Sequence, residues 1–177
     1  EYSPEDEIIV TTGVSEGVDL AFRALFDPGD TVAVAQPTYV SYEPGVTFAG
    51  AEPLAVPTRA EDEFKLTYDA LRDAGAEEAD GLIYCYPNNP TGAIMTREEL
   101  RGVAEFCREN DLVVLADEVY ADLTYGGKHA SVATLDGMRE RTVVFNGFSK
   151  TYAMTGTRLG YALGPSDAVG AMNRSHQ

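Results

Sequence analysis

The sequence of 177 residues contains no tryptophan and only two histidines and two cysteines. Because His and Cys are scarce, and because Cys85 and Cys107 lack the paired spacing of a metal site, a zinc site is not predicted. Both cysteines lie inside apolar patterns, which is typical of free thiols in a reducing compartment. No apolar run reaches membrane-spanning length, and the first residues do not resemble a signal peptide. We therefore expect a soluble, cytoplasmic protein without a membrane partner.

Positive charge is also scarce, since 13 Lys and Arg residues stand against 29 Asp and Glu, a formal net charge of -16 at pH 7. The resulting field repels nucleic acid and anionic membranes, so neither is an expected partner. The lysines are Lys65, Lys128 and Lys150. The scattered acidic residues suit a salt-adapted protein and an ordinary acidic enzyme equally well, and both interpretations stay open.

Short β-branched runs alternate with longer amphipathic segments along the whole chain. Strands are predicted at 8–12, 31–35, 51–56, 81–86, 112–116, 142–146 and 159–163, and helices at 15–26, 39–48, 68–74 and 96–109. This alternation predicts an α/β fold, a three-layer α/β/α sandwich with a mostly parallel sheet. No repeat or low-complexity linker divides the chain, so we expect one folding unit.

Three polar residues fall where a sheet of this kind binds its ligands, at the carboxyl ends of strands. Asn89, Asp117 and Lys150 each follow an apolar run within a few residues. Each alone has a structural explanation, as a turn, a helix cap or an exposed lysine. Together they indicate a ligand site at one edge of the sheet. The sequence contains no Gly-x-Gly-x-x-Gly, and the glycine pair at 126–127 lacks the Ser or Thr of a P-loop.

The segments around these residues resemble the motif series of the class I and II aminotransferases. The matching segments are Tyr86–Gly92, Asp117–Tyr120, Ser149–Lys150 with Arg158 eight residues later, the phosphate-binding turn Thr12–Gly17, and Gln36–Tyr39 with a stacking aromatic. Their order and spacing agree over nearly the whole chain. The resemblance implies the large domain of a pyridoxal 5'-phosphate (PLP) enzyme of the aspartate-aminotransferase fold, with the cofactor joined to Lys150 as a Schiff base.

The resemblance also assigns a role to each matching residue. Lys150, Asp117 and Tyr120 are the implied catalytic residues. Lys150 carries the cofactor and moves a proton, and Asp117 keeps the pyridine nitrogen protonated. Tyr120 and Asn89 donate to the phenolate oxygen, and Tyr39 stacks on the ring, although a core tyrosine at a helix start is the alternative. The phosphate contacts are assigned to Gly13, Val14, Ser15, Ser149 and Arg158.

Gly147 departs from the family pattern, because many members carry Ser or Thr three residues before the lysine. We therefore expect one phosphate-binding hydroxyl fewer. The other tyrosines near these motifs are interpreted as packing or rim residues: Tyr42, Tyr84, Tyr86 and Tyr152.

The implied reaction is the transfer of an amino group between an amino acid and a 2-oxo acid, both small molecules, by a homodimer. A C–S lyase or ring-forming synthase on the same fold shares these cofactor contacts and stays open. A PLP-binding regulator domain without turnover is the second alternative. Residues 1–177 are expected to be an incomplete PLP-binding large domain. We expect that the family's N-terminal segment and its C-terminal small domain, which supplies an arginine for the substrate carboxylate, are not part of this chain.

Overall fold

Strands and helices alternate in the computed structural model, which describes residues 1–177. The strands are β1 (Ile8–Thr11), β2 (Thr31–Gln36), β3 (Glu52–Pro57), β4 (Gly81–Cys85), β5 (Val113–Asp117), β6 (Thr142–Gly147) and β7 (Gly160–Leu163). The α-helices are α1 (Val14–Leu25), α2 (Tyr42–Ala49), α3 (Tyr68–Asp73), α4 (Arg97–Glu109) and α5 (Ser166–His176). Every predicted strand and helix is present, and α5 is an additional helix. None of the helices has the length and apolar character needed to cross a bilayer.

All strands join one sheet in the order β1-β7-β6-β5-β4-β2-β3. The pairs between β6 and β3 are parallel. β7 runs antiparallel to both of its neighbours, β6 and β1. The prediction of a mostly parallel sheet is confirmed, with β7 as the exception.

Helices cover both faces of this sheet. α1, α2 and α5 bury Phe22, Val46 and Met172 against one face. α3 and α4 bury Leu71 and Phe106 against the other. The predicted three-layer α/β/α sandwich is therefore confirmed, and each face has its own apolar core.

The alternation of side chains at the end of β5 places Asp117, its last residue, and Glu118, the residue after it, on opposite faces. Val114 and Ala116 lie in the core under α3 and α4, whereas Leu115 lies in the core under α1 and α2. Because successive side chains on a strand point to opposite faces, Asp117 faces α1 and α2, and Glu118 faces the other way.

Local features explain where the helices begin. α2 begins at Tyr42, three residues later than predicted, because a turn precedes it in which Tyr42 N donates to Tyr39 O at 3.2 Å. α4 has the predicted capping box, since Thr96 N donates to the Glu99 carboxylate at 2.7 Å and Glu99 N donates to Thr96 Oγ1 at 3.3 Å.

Candidate active site

A cavity of about 290 Å³ opens at the carboxyl ends of β4, β5 and β6, on the face covered by α1 and α2. Its walls are formed by Val14, Ser15, Tyr39, Tyr42, Cys85, Asn89, Asp117, Val119, Tyr120, Ser149, Lys150, Thr155 and Arg158. Every predicted site residue except Gly13 lies on these walls. The strand-end residues that are far apart in sequence therefore do converge, as expected for parallel strands that share one edge.

Asp117 forms the buried floor of the cavity and is 5% exposed. Its Oδ2 accepts a hydrogen bond from Tyr42 Oη at 2.6 Å, and its Oδ1 accepts one from Val119 N at 3.0 Å. Burial raises the pKa of this carboxyl to about 6, even though both hydrogen bonds favour the ionised form. A cationic group placed against Asp117 would relieve much of this cost, because a buried carboxylate is stabilised by an opposite charge.

Tyr42 is a residue of the cavity that the sequence did not reveal. It packs in the core, as predicted, but its hydroxyl also donates to Asp117, which is 75 positions away in the chain. Burial and the neighbouring carboxylate raise the pKa of the Tyr42 phenol well above its ordinary value, so Tyr42 stays a neutral donor. Its position three residues after Tyr39, at the start of α2, was the one signal available.

Lys150 and Tyr120 lie together on the wall of the cavity. Lys150 follows the end of β6, is exposed, and places its Nζ 5.7 Å from the centroid of the Tyr120 ring. It forms no salt bridge, whereas Lys65 contacts two carboxylates, at 2.5 and 2.9 Å. The Lys150 amine is therefore free to react with a ligand in the cavity.

The two adjacent asparagines of the loop after β4 have different tasks. Asn88 is used by the loop itself, because its amide donates to Pro37 O and Cys85 O and its oxygen accepts two hydrogen bonds from Thr91. Asn89 lies on the cavity wall, and its side chain makes no hydrogen bond within the protein. Asn89 is thus the asparagine whose side chain remains available to a ligand in the cavity.

One end of the cavity presents groups that favour an anion. α1 begins after Gly13 without a side-chain cap, so the first N–H groups of this helix are available to a ligand. Arg158, on the cavity wall, donates to Thr155 O at 3.1 Å. A side chain at position 13 would place its Cβ 2.5 Å from Arg158 Nη2. Gly13 therefore contributes by admitting the guanidinium rather than by lining the cavity.

A side chain at Gly147 would be crowded by the residues around it. A Cβ there would lie 3.0 Å from Leu159 O and from the Cα of Gly160, its partner on β7, and 3.3 Å from a methyl of Val14. The serine or threonine that the family resemblance suggested at this position would therefore crowd the packing of β6, β7 and α1. Ser15 and Ser149 remain as hydroxyls on the cavity wall.

Tyr39 lies on the cavity wall ahead of α2 and is 39% exposed. Its ring meets that of Tyr42 edge to face, with centroids 5.7 Å apart and planes at 77°. The alternative interpretation, a core tyrosine at a helix start, describes Tyr42 and not Tyr39. Tyr39 is thus free to contact a flat ligand.

The sequence of the whole chain, residues 1–177, matches the family described as aminotransferase class I and II. This chain belongs to that family. Among curated aminotransferases, it is 47% identical over 176 residues to YugH of Bacillus subtilis (strain 168), a protein named as an aminotransferase, covering 99% of this chain and 46% of YugH. It is 44% identical over 167 residues to the aspartate aminotransferase of Pyrococcus abyssi (strain GE5 / Orsay), covering 94% of this chain and 43% of that protein.

The fold of this class I and II aminotransferase chain also matches solved structures. The crystal structure of the aromatic aminotransferase from Pyrococcus horikoshii OT3 superposes with a TM-score of 0.95 at 43% identity, covering 99% of this chain and 47% of that one. The chain spans less than half the length of these relatives. One of these relatives is named an aspartate aminotransferase and another an aromatic aminotransferase, so family membership does not fix the substrate.

Proposed function

We propose that this chain binds PLP, with the ring nitrogen against Asp117, the phosphate at the start of α1 and the aldehyde carbon joined to Lys150. The observation that supports this most strongly is the polarity of the cavity. One end holds a buried carboxylate, and the other holds Arg158 and free helix N–H groups. A ligand with a cationic ring nitrogen and an anionic phosphate matches both ends, and PLP has both groups.

When bound, PLP supplies an electron sink for the electrons left on a substrate carbon after deprotonation. Asp117 holds the proton on the ring nitrogen, and Tyr42 keeps the Asp117 carboxylate oriented and ionised. Tyr120 and Asn89 donate to the phenolate oxygen, and Tyr39 restrains one face of the ring. Lys150 would hold the aldehyde carbon of the cofactor, and its Nζ, when free, would accept the proton from the substrate α-carbon.

The reaction that we propose for the complete protein is the transfer of an amino group between an amino acid and a 2-oxo acid. Family membership supports it, as do relatives named aspartate and aromatic aminotransferases. No observation favours a C–S lyase, a synthase or a regulator domain. The domain that this chain represents is, in our proposal, the PLP-binding large domain.

We further propose that the enzyme is a homodimer in the cytoplasm. The segment 151–158, next to Lys150, is mostly exposed and includes Tyr152 at 60% and Met154 at 39%. A second copy that covered this segment would exclude water from the cavity and strengthen its electrostatic contacts. The two cysteines are buried free thiols, which suits a reducing compartment.

The proposal is tested by borohydride reduction of the PLP-loaded protein followed by peptide mapping. The pyridoxyl label is expected on Lys150, and the variants Lys65→Ala and Lys128→Ala should keep it. Lys150→Ala should lose both the label and the conversion of PLP to its amine form by amino acids, because the linking and proton-moving amine is gone. A label on Lys65 or Lys128 in the wild type would contradict the proposal.

A further inference from the structure

Glu118 and His129 form a part-buried hydrogen-bonded pair that has no part in the roles assigned above. His129 Nε2 lies 2.8 Å from Glu118 Oε2, and the two side chains are 18% and 7% exposed. Glu118 directly follows Asp117 and points to the opposite face of the sheet, away from the cavity. The pair therefore lies behind the floor of the site, one residue from its buried carboxylate.

Glu118 has few partners that can balance its charge. The ionisable groups that its carboxylate influences belong to the N-terminal segment, β4, β5 and β7: Tyr2, Tyr84, Asp117 and Tyr161. Burial, with a smaller contribution from the Glu118 charge, raises the pKa of each of these groups, Asp117 included. None of these groups can carry a positive charge, because three are phenols and one is a carboxyl. His129 can carry one, and it is in contact with Glu118.

His129 also anchors the segment that leaves the sheet after Tyr120. The first turn of this segment is stabilised by local backbone hydrogen bonds, since Ala121 N donates to Glu118 O and Leu123 N donates to Tyr120 O, both at 2.9 Å. From residue 125 to residue 129, the contact with Glu118 is the one hydrogen bond to the rest of the protein. Tyr120 is therefore held between the end of β5 on one side and a segment tied back by His129 on the other.

We propose that His129 is a positioning residue that acts through Glu118 to fix Tyr120 on the cavity wall. The inference rests on the proposed function, because the group for which Tyr120 is positioned is the phenolate oxygen of PLP. A donor at that oxygen stabilises its negative charge, and this lowers the pH at which the visible absorption of lysine-bound PLP changes.

The test is a double-mutant cycle with His129→Leu and Tyr120→Phe in the complete protein loaded with PLP. The two measurements are the midpoint pH of the visible absorption change and the PLP dissociation constant. His129→Leu is expected to raise the midpoint by on the order of half a pH unit and to weaken PLP binding about fivefold. In the Tyr120→Phe background the midpoint should not move further, because the hydroxyl through which His129 acts is gone.

Two further variants separate positioning from general stability. His129→Gln keeps a donor toward Glu118 and should recover most of the wild-type midpoint, whereas His176→Leu, the same change on α5, should alter neither measurement. An equal midpoint shift in both backgrounds, or a lower melting temperature without a shift, overturns the inference. If His129→Leu does not fold, His129→Asn, whose amide is too short to reach Glu118, replaces it in the cycle. A wild type that develops no visible absorption with PLP overturns the proposed function instead.

Discussion

At the scale of single residues, Tyr42 donates a hydrogen bond to the buried Asp117 carboxylate, which is a charged acceptor when ionised. Hydrogen bonds to charged groups are worth about 1.5–3 kcal/mol. We expect Tyr42→Phe to weaken PLP binding roughly tenfold or more, because the Asp117 carboxylate loses a donor that keeps it ionised and oriented. The measurement is a titration of the PLP-free protein with PLP, followed by visible absorption.

Tyr84 provides the matched control for that substitution. It is also a fully buried tyrosine, but its hydroxyl has no hydrogen-bond partner in the protein. Tyr84→Phe should therefore leave PLP binding unchanged and should not lower stability, since it removes a buried polar atom without a partner. Equal losses of PLP affinity in the two variants would show that the Tyr42 hydroxyl has no special part in the site.

Asp117 makes the stability of the PLP-free protein depend on pH. Burial raises its pKa in the folded state from the ordinary value of 3.8 to about 6. The carboxyl therefore favours folding below its unfolded value, and this contribution is lost as the pH rises through about 6. Above that pH, the folded protein without PLP carries an ionised buried carboxylate at a cost of at most about 3 kcal/mol.

Asp117→Asn removes this titration while keeping the shape of the side chain. The stability of the PLP-free variant relative to wild type should increase by about 2 kcal/mol between about pH 4.5 and about pH 8. Urea unfolding at the two pH values measures this difference. With PLP present at the higher pH the order should reverse, because the variant offers no charge to the ring nitrogen. A difference that does not change with pH would mean that Asp117 titrates normally in the fold.

At the scale of elements, the start of α1 depends on a glycine conformation. Gly13 has φ 79° and ψ 167°, a region that residues with a side chain rarely adopt, and a Cβ there would meet Arg158. Gly13→Ala should therefore cost about 1–3 kcal/mol of stability and displace the guanidinium from the anion-binding end. We expect PLP and inorganic phosphate to bind more weakly to this variant, as measured by calorimetry.

Gly75 offers a control with nearly the same φ. Its φ is 76°, but a Cβ there would have nothing within 4 Å. Gly75→Ala should lose about 1–2 kcal/mol through backbone strain and leave phosphate binding intact. If both variants bound PLP equally well, the close approach of Arg158 to Gly13 would have no functional consequence.

The elements with local causes could be predicted from sequence, and those with distant causes could not. The buried runs of β4 and β5, the capping box of α4 and the strand-end residues follow from patterns a few residues long. The direction of β7 does not, because side chains alternate in the same way on parallel and antiparallel strands. α5 was missed because only Val169 and Met172 are buried, which leaves a weak helical pattern. The contact of Tyr42 with Asp117 depends on the arrangement of strands and crossovers, which no local pattern reveals.

At the scale of the whole molecule, the net charge of -16 opposes the compact state through self-repulsion. Raising KCl from about 0.1 M to about 1 M shortens the screening length from about 10 Å to about 3 Å. Five of the ion pairs have both side chains exposed and contribute little, so relief of repulsion should dominate. We expect the melting temperature to rise with KCl, measured by scanning calorimetry.

The paired variant Glu52→Gln and Glu77→Gln tests the origin of this effect. Both side chains are exposed and form no salt bridge, so the change removes charge without removing a contact. The melting temperature of this variant should depend less steeply on KCl than that of wild type. An unchanged slope, or a wild type that salt does not stabilise, would contradict self-repulsion as the cause.

The position of β7 between β1 and β6 also determines when the site can form during synthesis. β1 leaves the ribosome before the other strands of this sheet, yet its one neighbour in the sheet is β7, the last of these strands to be made. Until residues 160–163 have emerged, β1 has no strand to pair with, and Gly13 cannot meet Arg158. Contacts between such distant segments form slowly, and an unpaired strand edge can pair with other chains in the meantime. A chain whose synthesis stopped before β7 would therefore form most of the sheet but would lack the anion-binding end of the cavity. Its β1 would remain unpaired and could pair with other chains.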